Sequence, residues 1–283
     1  MAQFEPVCDR VANSGNAPAA PRSDSLIKDA TILFVTANCA GVFNLLFQLF
    51  LVRKLSQSDF GLLNALLVLI TNLTIVAGPF QTVTTKFIAT YRAENDWGTI
   101  ARFFKKFGRH VLGFAFISSG LICAAHLWIR RFFNMPPVLE SSLLVVLAAV
   151  IVGVSTVAPF LLGGLQGLQK FKSYGIYSML SAVLKFFLAV FFVGIGWRVA
   201  GALFAIFLAA VFAVALTLIP LWKYIVAPAG CRPIPTAPVY QFILPTIIAL
   251  FSFACLTSLD MLLVRRFFSE EEAGIYAIVQ MVG

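Results

Sequence analysis

Long continuous apolar segments constrain the fold of this chain more than any other feature of its sequence. Each runs for about 20 residues, the length that a helix needs to cross a bilayer core of about 30 Å. Hydrophobic residues make up 60% of the chain and charged residues only 12%, whereas soluble domains carry about 25% charged residues. Only helices or closed barrels satisfy their backbone polar groups in lipid, and these segments lack the alternating pattern of barrel strands. The sequence therefore predicts an all-α fold, a polytopic transmembrane helix bundle.

The apolar segments also divide the chain into regions. Residues 1–29 predict a flexible cytoplasmic tail, residues 30–225 a first lobe of six helices, residues 226–238 a Pro-rich linker, and residues 239–283 an incomplete second lobe. A basic stretch, residues 91–110, is predicted to connect the second and third helices. The predicted helices cover Thr31–Val52, Gly61–Ile88, Val111–Ile129, Ser141–Leu165, Tyr174–Gly196, Val199–Trp222 and Val239–Val264, and a further helix starts at Ala273.

A short motif occurs twice in the sequence. Leu49–Asn64 is LFLVRKLSQSDFGLLN, and Met261–Tyr276 is MLLVRRFFSEEEAGIY. In both copies an apolar run ends in Val, two basic residues and a polar acidic turn follow, and a Gly opens the next apolar run. Because six predicted helices lie between the copies, both copies point the same way across the membrane. The sequence thus predicts one six-helix lobe plus the start of a second lobe, related as parallel repeats.

The net charge of +9 has a simple explanation in a membrane protein. Most Lys and Arg residues fall in predicted connections on the side of the N-terminus, so the positive-inside tendency places that terminus in the cytoplasm and no nucleic acid partner is implied. Five Cys without a CxxC and two His without ligand spacing predict neither a disulfide framework nor a metal site. Walker, HExxH and GxSxG motifs are absent, so neither an enzyme nor a cofactor is predicted.

Polar residues inside the predicted spans are the candidates for substrate binding, because each is costly in hydrocarbon unless it faces protein or water. Many recur at helical spacing on four helices. A single stripe of this kind is well explained as a packing seam between helices, whereas four stripes together favour a shared polar cavity. The candidate substrate-binding residues are Asn44, Gln48, Thr71, Asn72, Thr74, Gln81, Gln166, Lys185 and Asp260.

Two charged residues stand out among these candidates. Lys185 lies roughly 16 Å into its predicted helix, too deep to reach either interface easily, and a central Lys costs about 2.5 to 3.5 kcal/mol. It is predicted to bind an anion in a wet cavity, and the alternative is a Lys that pairs with backbone carbonyls or reaches a distorted interface. Asp260 occupies the position in the second copy that Gln48 has in the first. It is either a cation or proton site or the partner of Arg265.

Prolines interrupt three of the predicted spans. They are Pro79, which follows Gly78, and also Pro159 and Pro245. Proline removes a backbone hydrogen bond and kinks a helix, so each of these positions is either a hinge or a tolerated kink.

Several segments together resemble a known family over residues 26–283. They are LVRKLSQSDFGLLNAL, KFIATYRAEND, LLGGLQGLQKFKSYG, GWRVAGAL and LDMLLVRRFFSEEEAGIYA. Their order and spacing are similar to the polysaccharide-transport branch of the multidrug/oligosaccharidyl-lipid/polysaccharide (MOP) exporter superfamily, which includes O-antigen and lipid-linked oligosaccharide flippases. The resemblance implies two six-helix lobes around a cationic cavity, to which Lys185 maps by position and chemistry.

The resemblance implies a transporter that flips a polyprenyl-pyrophosphate-linked oligosaccharide by alternating access, for O-antigen, lipopolysaccharide, capsule or exopolysaccharide synthesis. The implied location is the bacterial cytoplasmic (inner) membrane, and the implied partners are the lipid-linked oligosaccharide, membrane lipids and other polysaccharide-assembly proteins. Members of the family continue through a complete second lobe, whereas this sequence ends just inside its eighth predicted helix. The sequence therefore predicts either a fragment or a truncated gene product that does not flip lipid-linked sugars alone.

Three alternatives remain open at the level of sequence. A cation-coupled multidrug or small-molecule exporter of the same superfamily would use Asp260, although the first predicted helix offers no matching acid. A membrane glycosyltransferase or polymerase would need a large extramembrane loop with catalytic residues, and the predicted loops are short. A nonfunctional pseudogene product would be recognised from the DNA downstream.

Overall fold

The computed structural model describes residues 23–75, 77–133, 139–227, 245, 248–249, 252–253, 255–256, 260–261 and 263–282, and the regular structure in these residues is helical. The helices are α1 (Ser23–Lys54), α2 (Gln57–Ile75), α3 (Gly78–Ala93), α4 (Trp97–Ala124), α5 (His126–Phe132), α6 (Leu139–Gly167), α7 (Phe171–Gly194), α8 (Arg198–Val226) and α9 (Glu270–Val282).

Six stretches of the described residues are long and apolar enough to cross a membrane. They are Ala30–Lys54, Gln57–Ala93, Trp97–Ala124, Ser142–Gly167, Phe171–Gly194 and Arg198–Val226. Each of these stretches overlaps one of the six helices predicted for the first lobe. The prediction of an all-α polytopic bundle is therefore confirmed.

The boundary predicted between the N-terminal tail and the first helix differs from the structure, and several other predicted boundaries lie outside the described residues. Helix α1 begins at Ser23, so residues 23–29, predicted as part of the tail, are helical. Polar residues can extend a helix beyond the apolar segment, because backbone hydrogen bonds do not depend on hydropathy. A hydropathy pattern therefore does not show where such a helix begins. Residues 1–22, nearly all of the predicted linker and most of the helix predicted over 239–264 lie outside the described residues.

The basic stretch 91–110 is mostly helix, which corrects the prediction of a connecting segment. Helix α3 continues to Ala93 and α4 begins at Trp97, so a turn of three residues joins them. The phenylalanines of α4 in this stretch point inward, since Phe103, Phe104 and Phe107 are buried. Charged residues alternate with these phenylalanines in the sequence. The continuous apolar run therefore begins well after the first residue of the helix. Hydropathy therefore detects only the deeper part of α4.

Asp96 fixes the start of α4. Its Oδ1 accepts a hydrogen bond from the Thr99 backbone N–H at 2.9 Å, and its Oδ2 accepts one from the Thr99 hydroxyl at 2.6 Å. This is an N-cap, which satisfies a backbone donor that has no partner within the helix.

Replacing Asp96 with Ala is expected to lower the free energy of unfolding by about 1 kcal/mol, because the Thr99 N–H loses its acceptor. Unfolding of the purified chain in mixed micelles measures this. Asp96→Asn, which keeps an acceptor, is expected to retain most of the stability, and equal losses in the two variants would contradict the capping role.

The second predicted span is divided into two helices next to Gly78-Pro79. Helix α2 ends at Ile75 and α3 begins at Gly78 with Pro79 in its first turn. Pro79 has no N–H, and at the break the Ala77 N–H donates to Thr74 O at 2.9 Å. By contrast, α6 continues through Pro159 as one helix. Pro245 is described only in isolation, so its effect stays a prediction.

The two copies of the repeated motif adopt the same local structure. Ser56 Oγ accepts a hydrogen bond from the Asp59 N–H at 3.1 Å before α2, and Ser269 Oγ accepts one from the Glu272 N–H at 3.3 Å before α9. In the second copy, Glu272 Oε2 also accepts from the Ser269 N–H at 3.0 Å and from its hydroxyl. The reciprocal hydrogen bonds form a capping box, and the two that Ser269 donates lower the pKa of the exposed Glu272 carboxyl.

Equivalent glycines of the two copies contact each other where α2 crosses α9. A Cβ on Gly61 would lie 2.8 Å from the Gly274 backbone N, and a Cβ on Gly274 would overlap the Gln57 carbonyl. Because both glycines are in the first turns of their helices, α2 and α9 start side by side at the same end of the bundle. This agrees with the parallel orientation predicted for the repeats.

Candidate functional site

A polar cavity of about 660 Å³ opens between the helices of the bundle, bordered by α1, α2, α6, α7, α8 and α9. Its volume lies within the ~300–1,000 Å³ usual for small-molecule sites. Its walls are apolar apart from a set of polar and charged side chains, which are Asn44, Gln48, Asn64, Thr71, Ser155 and Lys185. The cavity therefore combines a hydrophobic lining with a small number of hydrogen-bonding groups.

Lys185 gives this cavity its charge. It projects from the middle of α7, and among the described residues that line the cavity it is the only charged one. Its Nζ donates a hydrogen bond to Asn44 Oδ1 and lies 4.7 Å from the centre of the Phe47 ring. Both neighbours are on α1, so α1 and α7 together hold the ammonium group. An ammonium has three donors, and one suffices for Asn44, so the remaining donors can serve an anion in the cavity.

Helical spacing brings the other polar groups to the same cavity. Asn44 and Gln48 are four residues apart on α1, and Asn64 and Thr71 are seven apart on α2, so each pair lies on one face of its helix. Ser155 on α6 completes the set. The sequence did not identify Ser155 as a candidate. Whether Ser155 or its neighbour Thr156 faces the cavity depends on the rotation of α6 about its axis. Thr156 is buried and donates to Val152 O in its own helix.

Gln81 and Gln166 lie in a different place, a packing seam between α3 and α6. Gln81 Nε2 donates to Gln166 Oε1 at 3.0 Å. Thr85 Oγ1 lies 2.8 Å from Gln81 O in its own helix, and 3.2 Å from both Gln166 Oε1 and Gly163 O across the seam. A Cβ on Gly163 would lie 2.5 Å from Gln81 O, so the two backbones are in close contact here. Of the two explanations open in the sequence, these contacts fit the seam.

Replacing Thr85 with Val is expected to lower the free energy of unfolding by about 1 kcal/mol, since it removes the hydroxyl shared across the seam. Thr82→Val is the matched control on the same helix, because Thr82 is exposed, and its effect is expected within about 0.5 kcal/mol. Unfolding in mixed micelles measures both. Equal losses in the two variants would contradict a seam at Thr85.

The remaining candidates do not line the cavity. Asn72 is buried and its Nδ2 donates to Val68 O at 2.9 Å, while Thr74 Oγ1 is 2.9 Å from Ile70 O. Asp260 is exposed, and its Oδ2 accepts a hydrogen bond from the Tyr276 hydroxyl at 2.6 Å. The structure thus brings together four of the nine predicted residues, which are Asn44, Gln48, Thr71 and Lys185.

Known proteins resemble this chain at two levels. A family model described as "Polysaccharide biosynthesis protein" matches residues 26–283, which confirms the family resemblance drawn from the sequence. No curated protein matches the chain.

Solved structures of transporters share its fold. An inward-facing multidrug resistance MATE family transporter of the MOP superfamily aligns with a TM-score of 0.65 at 14% identity, over 84% of this chain and 56% of its own. A MOP superfamily transporter from Pyrococcus furiosus aligns at 0.58 and 15% identity, over 83% and 53%. A MATE protein in complex with MaD5 aligns at 0.59 and 15%, over 89% and 62%. The chain spans somewhat more than half the length of these proteins.

Proposed function

Because this chain belongs to the polysaccharide biosynthesis protein family, we propose that it serves as a flippase-type transporter for a polyprenyl-pyrophosphate-linked oligosaccharide. In this proposal the cavity between α1, α2 and α7 receives the pyrophosphate and the first sugars, while the polyprenyl tail stays in the bilayer. Alternating access of the cavity to the two sides of the membrane then moves the glycan across. The proposed products are cell-surface polysaccharides such as O-antigen, capsule or exopolysaccharide.

The observation that carries this proposal is the ammonium group of Lys185, the only charged group among the described residues that line the cavity. Moving a pyrophosphate out of water is costly unless an opposite charge and hydrogen bonds compensate. Lys185 supplies the charge, and the amides and hydroxyls of Asn44, Gln48 and Thr71 can hydrogen-bond phosphate oxygens or sugar hydroxyls. A cavity built for an organic cation or a coupling proton would need a carboxylate instead. Among the described residues that line this cavity there is none.

The proposal also covers location and partners. We place the protein in the bacterial cytoplasmic membrane with its N-terminus in the cytoplasm, since most of its basic residues fall on that side. Its partners are the lipid-linked oligosaccharide, membrane lipids and other proteins of polysaccharide assembly.

Binding to the purified chain in nanodiscs tests the choice of substrate class. A fluorescent polyprenyl pyrophosphate is expected to bind at least about tenfold more tightly than the matching neutral polyprenol, because only the former pairs with Lys185. Tetraphenylphosphonium, a lipophilic cation, is expected not to compete. Tight binding of tetraphenylphosphonium together with equal binding of the two polyprenyl lipids would favour the multidrug exporter instead.

A further inference from the structure

A second cavity, separate from the polar one, lies between α4, α6 and α8. Its volume is about 540 Å³, and its walls are almost entirely apolar, with Val154 and Val157 on α6 facing Val214 and Leu218 on α8. Two basic side chains, Lys105 and Arg109 of α4, are part of the same lining. We call this cavity the α4–α8 groove. It shares no lining residue with the cavity that holds Lys185.

Lys105 lies at one end of the groove, and Arg109 follows it into the lining. Lys105 Nζ donates to the carbonyl of Ala227, the residue that directly follows α8, at 3.1 Å. Arg109 is one helical turn further along α4 and on the same face as Lys105. Its side chain is exposed, and within the part of the chain that the structure describes no hydrogen bond or ion pair holds its guanidinium. The groove therefore has an apolar body and a positively charged mouth.

Aromatic residues place this mouth near the membrane surface. Trp97 begins α4 and Trp222 is in the last turns of α8, and both are exposed. Exposed Trp residues near helix ends are typical of the level of lipid headgroups. The Trp97 ring is also 5.8 Å from that of Tyr224 near the end of α8, so the start of α4 lies beside the end of α8. The ligand that matches an apolar groove with two cations near headgroup depth is one with an anionic head and an apolar chain.

We propose that the α4–α8 groove binds an anionic membrane phospholipid, with its phosphate at Lys105 and Arg109 and an acyl chain between α6 and α8. A zwitterionic lipid satisfies the apolar walls equally well but adds a positive group next to the two cations. Basic pockets between transmembrane helices on the cytoplasmic side hold anionic headgroups for the same electrostatic reason. This proposal does not depend on the substrate proposed for the polar cavity.

Native mass spectrometry of the purified chain with added phosphatidylglycerol or phosphatidylcholine tests the headgroup contact. Phosphatidylglycerol is expected to bind more tightly, and K105Q/R109Q to weaken its binding about thirtyfold. The control is K106Q, which removes one of the two positive charges that K105Q/R109Q removes, at a neighbouring position outside the groove. Lys106 is exposed but does not line the groove, so little change is expected. Equal binding of the two lipids, or equal effects of K106Q and K105Q/R109Q, would overturn the proposal.

A second pair of variants tests the acyl chain site without altering charge. V214F fills the groove from α8 and is expected to weaken phosphatidylglycerol binding about tenfold by displacing buried methylene groups. V211F adds the same bulk on an exposed face of the same helix, and is expected to leave binding unchanged. Normal phosphatidylglycerol binding by V214F would show that the headgroup binds on the surface and would exclude the groove.

Discussion

Replacing Lys185 with Gln is expected to weaken binding of a polyprenyl pyrophosphate by about 10- to 100-fold, the largest effect of any single change in the polar cavity. A hydrogen bond to a charged group is worth about 1.5 to 3 kcal/mol, and Lys185 is the only cation among the described lining residues. Binding of the fluorescent lipid to the chain in nanodiscs measures the change. Binding of the neutral polyprenol is expected to stay the same, since it makes no ionic contact.

The control for Lys185 lies on the same helix. Lys172 in the first turn of α7 is exposed and does not line the polar cavity. Lys172→Gln therefore removes the same charge from the protein without emptying the site, and lipid binding is expected to change less than about twofold. Lys185→Arg keeps a positive charge and is expected to restore part of the affinity. Wild-type affinity in Lys185→Gln would remove Lys185 from the proposed site.

Replacing Gly274 with Ala is expected to lower the free energy of unfolding by about 1 to 3 kcal/mol. The added methyl group would overlap the Gln57 carbonyl, and a backbone atom cannot rotate away as a flexible side chain can. The gain of about 1 kcal/mol from the better helix propensity of Ala only partly compensates. Gly61→Ala is expected to have a similar effect, because its methyl group would lie 2.8 Å from the Gly274 N. Unfolding in mixed micelles gives both values.

Gly120→Ala on α4 separates steric overlap from helix propensity. An added Cβ at Gly120 has no neighbour within 4 Å, so only the propensity gain is expected there. The Gly61→Ala/Gly274→Ala double variant is expected to lose less than the sum of the single losses, since both changes disturb one contact. A stability gain in Gly274→Ala equal to that of Gly120→Ala would mean that α2 and α9 do not pack at these glycines.

The sequence alone predicted which groups are costly in the membrane, but not what each one contacts. Lys185 stood out because a charge deep in an apolar span needs a compensating environment, and the structure provides Asn44 and Phe47. Gln81 and Gln166 have the same spacing and the same polarity, yet they bond to each other across α3 and α6. Helical periodicity identifies a face of one helix, whereas the partner of that face depends on how the helices are arranged.

The same limit explains the errors in the helix boundaries. Hydropathy identified six spans because the free energy of transferring a segment from water to lipid depends mainly on its own composition. It does not depend on which helices pack beside it. Hydropathy misassigned the start of α4, where Phe103 and Phe107 are buried between charged side chains by contact with other helices.

Composition and periodicity determined that this chain spans a membrane as a helix bundle, that it carries a repeated motif, and that Lys185 requires a special environment. Tertiary structure alone decided that Gly61 meets Gly274, that Asn44 and Gln48 share a cavity with Thr71, and that Asn72 and Thr74 face elsewhere. The reason is that burial in lipid depends on each residue's own chemistry, whereas a binding site depends on the relative rotation and position of several helices.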